Sequence, residues 1–160
     1  MKCHLFLQGD IGIGKSTLIR RYILPHVNHV GGYFVRRIFM SKNTKRYVGF
    51  AINQLDAKQD LSLNLYVNNL EDVKGLFLYK DALGNWNQRP EVFAQIACNS
   101  LKKAISRRKK LILMDEIGGV ELEDISFSNL VLNTLDGSIP ILGVLKSPVN
   151  YEKVRKATGE

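Results

Sequence analysis

The chain has no apolar stretch approaching the roughly twenty residues of a membrane helix, and its first residues run directly into a strand-like segment with no signal-like pattern. These absences predict a cytoplasmic protein with no membrane partner. Cysteine is scarce as well. Cys3 and Cys98 fall in an expected buried strand and an expected helix, so they read as small core residues in a reducing compartment rather than as a disulfide. His4, His26 and His29 stand at no metal-ligand spacing from cysteines or carboxylates and read as structural or surface residues. Repeats, linkers and low-complexity segments are absent, so residues 1–160 are expected to form a single domain. Its 45% hydrophobic and 24% charged content suits a globular core.

Acidic charge is the minority sign. The chain carries 23 basic against 15 acidic residues, a net +8, and much of the excess gathers in Lys102, Lys103, Arg107, Arg108, Lys109 and Lys110. Such a cluster raises the possibility of a nucleic-acid partner. It also closes an expected helix that opens at Pro90 and Glu91, and cations at a helix C-terminus are favoured by the macrodipole. The solvated helix end is the preferred reading, with nucleic acid possible and not favoured.

What the chain does have is Gly9-Asp10-Ile11-Gly12-Ile13-Gly14-Lys15-Ser16, a full G-x-x-x-x-G-K-[ST] loop after the apolar run Cys3–Leu7. Glycines at these positions let the backbone curl into a nest whose N–H groups point at a phosphate above a helix N-terminus. Lys15 is expected to reach β- and γ-oxygens, and Ser16 to offer its hydroxyl to Mg²⁺. Gly9 through Thr17 are thus the candidate nucleotide-binding residues. Leu18, Ile19, Tyr22 and Ile23 predict a helix with one apolar face after the loop, ended or kinked by Pro25.

About a hundred residues later, Leu111-Ile112-Leu113-Met114 runs into Asp115-Glu116, the pattern of a buried parallel strand whose end carries a Walker B pair. Asp115 is the second candidate Mg²⁺ ligand, expected to act through a water, and Glu116 the candidate base that orients and deprotonates a water aimed at the γ-phosphorus. Between the two motifs, Tyr33–Met40 and Arg46–Ile52 flank the polar turn 41–45 and predict an antiparallel hairpin. Alternation at Leu61, Leu63, Leu65 and Val67 predicts a half-exposed strand, and Leu76–Tyr79 another. A helix is expected before the Walker B strand, a second over about 123–136 stopped by Gly137, and a last strand over 141–145 opened by Pro140.

Together, Gly9–Ile19 and Asp115-Glu116-Ile117-Gly118-Gly119-Val120-Glu121-Leu122 resemble the small P-loop nucleoside-triphosphatase family of the thermophile NTPase and cancer-related nucleoside triphosphatase type. Arg46-Tyr47-Val48-Gly49-Phe50 is similar to that family's R-R-I-G-F segment. The resemblance covers nearly the whole chain. It implies an α/β, RecA-like P-loop NTPase fold, a mostly parallel sheet flanked by helices with an antiparallel hairpin addition. It also implies a Walker B glutamate, here Glu116, as the catalytic base beside the Lys15 already read from the loop as catalytic, and slow, Mg²⁺-dependent hydrolysis of several nucleoside triphosphates, ATP and GTP among them. Two departures stand out: Arg36-Arg37 and Phe39 replace an acidic pair and an arginine in the first hairpin strand, and the chain stops at Glu160, soon after Val154-Arg155-Lys156, without a final strand and Asn-Arg signature. Glu121 matches the family motif, and either orders the loop after Walker B or begins a helix.

Other classes use the same loop. A small nucleotide or metabolite kinase needs an acceptor pocket and an arginine-bearing lid, and no lid is recognisable. A GTP switch fits the D-x-x-G pattern of Asp115–Gly118, but no N-K-x-D is present, which leaves base choice open. A nucleic-acid-coupled ATPase would rest on the basic helix end alone. Lys146, at the end of a strand where ligands gather in open α/β sheets, is a candidate γ-phosphate sensor or a solvated loop lysine.

Overall fold

The computed structural model describes residues 3–148 together with 152 and 156. In chain order the elements are β1 (His4–Leu7), α1 (Lys15–Ile23), β2 (Val30–Phe39), β3 (Gly49–Gln54), β4 (Asn64–Tyr66), β5 (Leu76–Lys80), β6 (Trp86–Gln88), α2 (Pro90–Ser106), β7 (Leu111–Ile117), α3 (Ile125–Asp136) and β8 (Ile141–Leu145). All eight strands join one sheet, in the order β1-β8-β7-β2-β3-β5-β6, with β4 attached to β2. β1, β8, β7 and β2 run parallel. The expected β2–β3 hairpin is antiparallel, and β5 and β6 extend it into a three-stranded addition.

Helices cover both faces, as a parallel sheet requires. On one face, Ile19 and Ile23 of α1 pack on Val30, Phe34, Leu113 and Val144. On the other, Phe93, Ala97 and Leu101 of α2 meet Tyr33, Ile52 and Phe77, and Phe127 and Val131 of α3 complete the layer. Phe93 is the hub, edge-on to Tyr33, Phe77 and Phe127 with ring centroids 5.0–5.9 Å apart. The apolar face expected for α1 is narrower than its sequence suggests: Leu18 and Tyr22 are exposed and only Ile19 and Ile23 are buried.

Other expectations shift at element ends. β3 begins at Gly49, three residues after the expected Arg46, and β4 is only three residues of the alternating run. Cys3 is exposed ahead of β1 rather than buried within a strand. β6 was not expected at all: three residues carry no periodic signal. His4 is structural, its ring joining the Leu135 carbonyl at 2.9 Å and the Ile141 N–H at 3.2 Å. The basic end of α2 is largely solvent-exposed, with Lys109 bonded to the Asn28 carbonyl.

β2 divides the sheet. Its first half, Val30–Tyr33, pairs with β7, and its far end, Arg37–Phe39, pairs with β4. Between them the sheet parts at Phe34–Arg36, beside the carboxyl end of β7. Gly32 permits the close β2–β7 approach, because at its φ of +104° a Cβ would lie 2.0 Å from the Leu113 carbonyl oxygen. Gly32→Ala is therefore expected to cost about 3 kcal/mol or more. Gly84→Ala has a similar φ of +86° and open space around it, and should cost only about 1–2 kcal/mol. Urea denaturation of the two variants compares them, and equal costs would mean that the Leu113 contact is unimportant.

Candidate functional site

The loop of residues 9–16 links β1 to α1, and it holds Gly9, Gly12 and Gly14 at φ of +152°, +86° and +99°. A Cβ at Gly12 or Gly14 would meet nothing within 4 Å. These two glycines serve the left-handed backbone rather than a tight fit. Gly14 caps α1 without a side-chain hydrogen bond, and the first turn has no acidic residue. Its N–H groups are thus left for an outside anion. Lys15 folds back along the loop, and its Nζ donates to the carbonyls of Gly9 at 2.8 Å and Asp10 at 2.7 Å.

Ser16 Oγ donates to Asp115 Oδ1 at 2.9 Å across 99 residues of sequence, and the Val35 N–H donates to Asp115 Oδ2 at 3.0 Å. Asp115 is 2% exposed. Burial pushes its carboxyl up to about 6, opposed by the Val35 and Ser16 hydrogen bonds and reinforced by Glu116. One hydroxyl and one carboxylate fit Mg²⁺, which takes one or two protein oxygens and fills its remaining positions with water and phosphate.

Glu116 has a φ of +68°, and the β7–β8 register shifts between Met114 and Ile117. This left-handed step is an irregularity inside β7, which pairs with β8 again at Ile117, and Glu116 lines a cleft of about 830 Å³. The same cleft is lined by Gly12, Gly14, Lys15, Ser16 and Thr17 on one side and by Lys146 at the end of β8. The candidate residues from the two motifs thus converge, although Gly9, Asp10, Ile13 and Asp115 do not line the open cleft itself.

Glu121 orders the loop after β7. It is 3% exposed, and its Oε1 accepts the Gly119 N–H at 2.8 Å while its Oε2 lies 3.4 Å from Lys146 Nζ. Lys146 is accordingly no solvated loop lysine; its side chain is 14% exposed and ion-paired. Nearby, the buried Tyr33 hydroxyl has no hydrogen-bond partner, and burial, then the charges of Glu121, Asp115 and Glu116, hold its pKa well above the usual value. Sequence reasoning missed the far wall of the cleft, which includes Val35, Arg37, Lys42, Phe50, Asn64 and Tyr66. Strand periodicity carried part of that signal, since Val35 and Arg37 share a face of β2 with Tyr33.

A family model described as NTPase matches residues 4–159. The chain belongs to this NTPase family. It is thus a member of a family of hydrolytic enzymes. It is 26% identical to the nucleoside-triphosphatase THEP1 of Thermotoga petrophila, over 97% of this chain and 79% of that protein. The similarity to the nucleoside-triphosphatase THEP1 of Aquifex aeolicus is 24% over 79% of this chain and 67% of the relative. The crystal structure of THEP1 from Aquifex aeolicus superposes with a TM-score of 0.60 at 22% identity, covering 99% of this chain and 86% of that one. The fold is the expected α/β, RecA-like P-loop arrangement.

Asp115 makes a pH prediction for the metal-free protein. Its folded pKa, about 6, lies above the ordinary 3.8. The folded state therefore binds more protons between these values, and the stabilisation is full below pH 3.8 and lost as pH rises through 6. The group's contribution to that fall is about 3 kcal/mol over the whole range, of which about 2 kcal/mol lies between pH 4.5 and 7.5. Denaturation in chelator at pH 4.5 and 7.5 should show Asp115→Asn losing most of this difference; an unchanged slope in the variant would assign it to other groups.

Proposed function

We propose that the protein hydrolyses nucleoside triphosphates, ATP and GTP among them, to diphosphate and phosphate, with Mg²⁺ held by Ser16 and Asp115. The carrying observation is Glu116, turned by its left-handed backbone into the cleft that also exposes the phosphate loop. The loop N–H groups bind the phosphates, and Lys15 exchanges its carbonyl partners for β- and γ-oxygens. Glu116 orients a water and takes its proton as the oxygen attacks γ-phosphorus. Bound Mg²⁺ would neutralise charge on the phosphate oxygens. Residues 1–160 act as one domain in this reading. The scarcity of cysteine, only Cys3 and Cys98 in the chain, supports a reducing, cytoplasmic setting.

Lys15→Ala is expected to weaken nucleotide binding by roughly 10- to 100-fold, the range of a lost charge-assisted hydrogen bond, and nearly to abolish turnover. Glu116→Gln should bind nucleotide normally and lose roughly 10²–10⁴-fold in kcat. Glu116→Gly should lose as much activity yet be at least as stable in a thermal melt, because glycine relieves about 1 kcal/mol of left-handed strain. Near-normal phosphate release by the Gln variant would move water activation elsewhere.

Affinity is expected to come mainly from the triphosphate, so ATP, GTP, CTP and UTP should be hydrolysed with kcat/KM values within about tenfold, or 1.4 kcal/mol. Phosphate release from the four, with and without Mg²⁺, measures this. A hundredfold preference would reveal a dedicated base pocket.

A further inference from the structure

The cleft extends well beyond the phosphate loop and Glu116. In phosphoryl transfer the attacking and leaving oxygens lie roughly in line through the γ-phosphorus. If Glu116 serves the attacking oxygen, the nucleoside lies at the opposite end of the phosphate chain and cannot fill the space beyond Glu116. A water needs about 30 Å³. Yet about half of the lining residues of this 830 Å³ cleft come from β2, β3, β5 and the segment 60–66, all on that far side.

The charges there are unequally committed. Lys15 bonds to loop carbonyls, Arg20 to the Leu61 carbonyl, and Lys146 to Glu121. Arg36 pairs with Asp60 at 2.7 Å. Arg37 and Lys42 also line the cleft, and among the described residues their side chains make no hydrogen bond or ion pair. Arg37 stands opposite Phe50 on β3 and Asn64 on β4. Arg37 and Glu116 line the same cleft, each beyond the last β2–β7 pair, Tyr33 with Met114.

We propose that this far half binds a second small molecule, a hydroxyl-bearing phosphate monoester, whose hydroxyl replaces water as acceptor of the γ-phosphoryl group. The proposal rests on the hydrolase reading for Lys15 and Glu116. Two cations match the near-dianionic charge of a monoester at neutral pH. Glu116 would repel an anionic nucleophile and accept a proton from a neutral hydroxyl, so the phosphate of the acceptor belongs at Arg37 and Lys42 and its hydroxyl at Glu116. In the step, the acceptor oxygen bonds to γ-phosphorus, the bond from γ-phosphorus to the bridging oxygen breaks, the nucleoside diphosphate leaves with that electron pair, and the proton passes to Glu116. Hydrolysis is then the reaction with the acceptor absent.

The test loads the protein with Mg²⁺ and the non-hydrolysable β,γ-imido analogue of ATP, then titrates ribose 5-phosphate, glycerol 3-phosphate and AMP by calorimetry. At least one should bind, and Arg37→Ala with Lys42→Ala should weaken it tenfold or more while changing analogue affinity less than twofold. With γ-labelled ATP, the label should appear on the bound monoester. The absence of binding by all three probes, or binding insensitive to the double variant, would overturn the site. Binding without label transfer would overturn the acceptor role. Failure of Glu116→Gln to slow phosphate release would instead sink the hydrolase reading, so the two failures are distinct.

Discussion

The contact between the Ser16 hydroxyl and the Asp115 carboxylate is the constraint on which the site depends. It ties the first turn of α1 to the end of β7, although β8 lies between β1 and β7 in the sheet. The second oxygen of Asp115 takes the Val35 N–H at the place where β2 has left β7 and not yet met β4. One buried carboxylate thus fastens the phosphate loop, the strand before Glu116 and the parted sheet. Such a group is costly to bury, and its raised pKa records that cost. A cation beside it would reverse the balance by favouring the charged form.

Glu116 shows a second expense of the same kind. A non-glycine residue at φ +68° is strained by about 1–2 kcal/mol, and the β7–β8 register breaks at the same point. A regular strand would have continued the alternation and sent Glu116 to the face opposite Asp115. The turn changes its direction, and Gly118, also left-handed, and Glu121 on the Gly119 N–H hold the loop that follows. Strain of this sort survives only where surrounding contacts over-determine it.

The two motifs were legible because each is contiguous and its chemistry demands particular residue types: glycines for a left-handed nest, an apolar run for a buried strand. The parallel sheet and the helices α2 and α3 were legible from long periodic segments. β6 and the short β4 were not, because strands of three residues are set by their neighbours. Glu121 was recognisable as part of a motif, but its pairing with Lys146 spans 25 residues and needs the β7 and β8 ends to lie side by side. The far wall was hidden for a similar reason. Arg37, Phe50 and Asn64 become neighbours only through strand register.

Lys15 braces the phosphate loop from within. Its ammonium binds two carbonyls on the inner side of the loop, leaving the α1 N–H groups with no capping side chain or acidic neighbour. What binding must supply is the exchange of two neutral acceptors on Lys15 for charged phosphate oxygens, and charge-assisted hydrogen bonds are roughly twice as strong as neutral ones. The exchange is downhill only for an anion that reaches past the nest to Lys15. Under the proposed function, this exchange selects the triphosphate over shorter phosphates independently of the base.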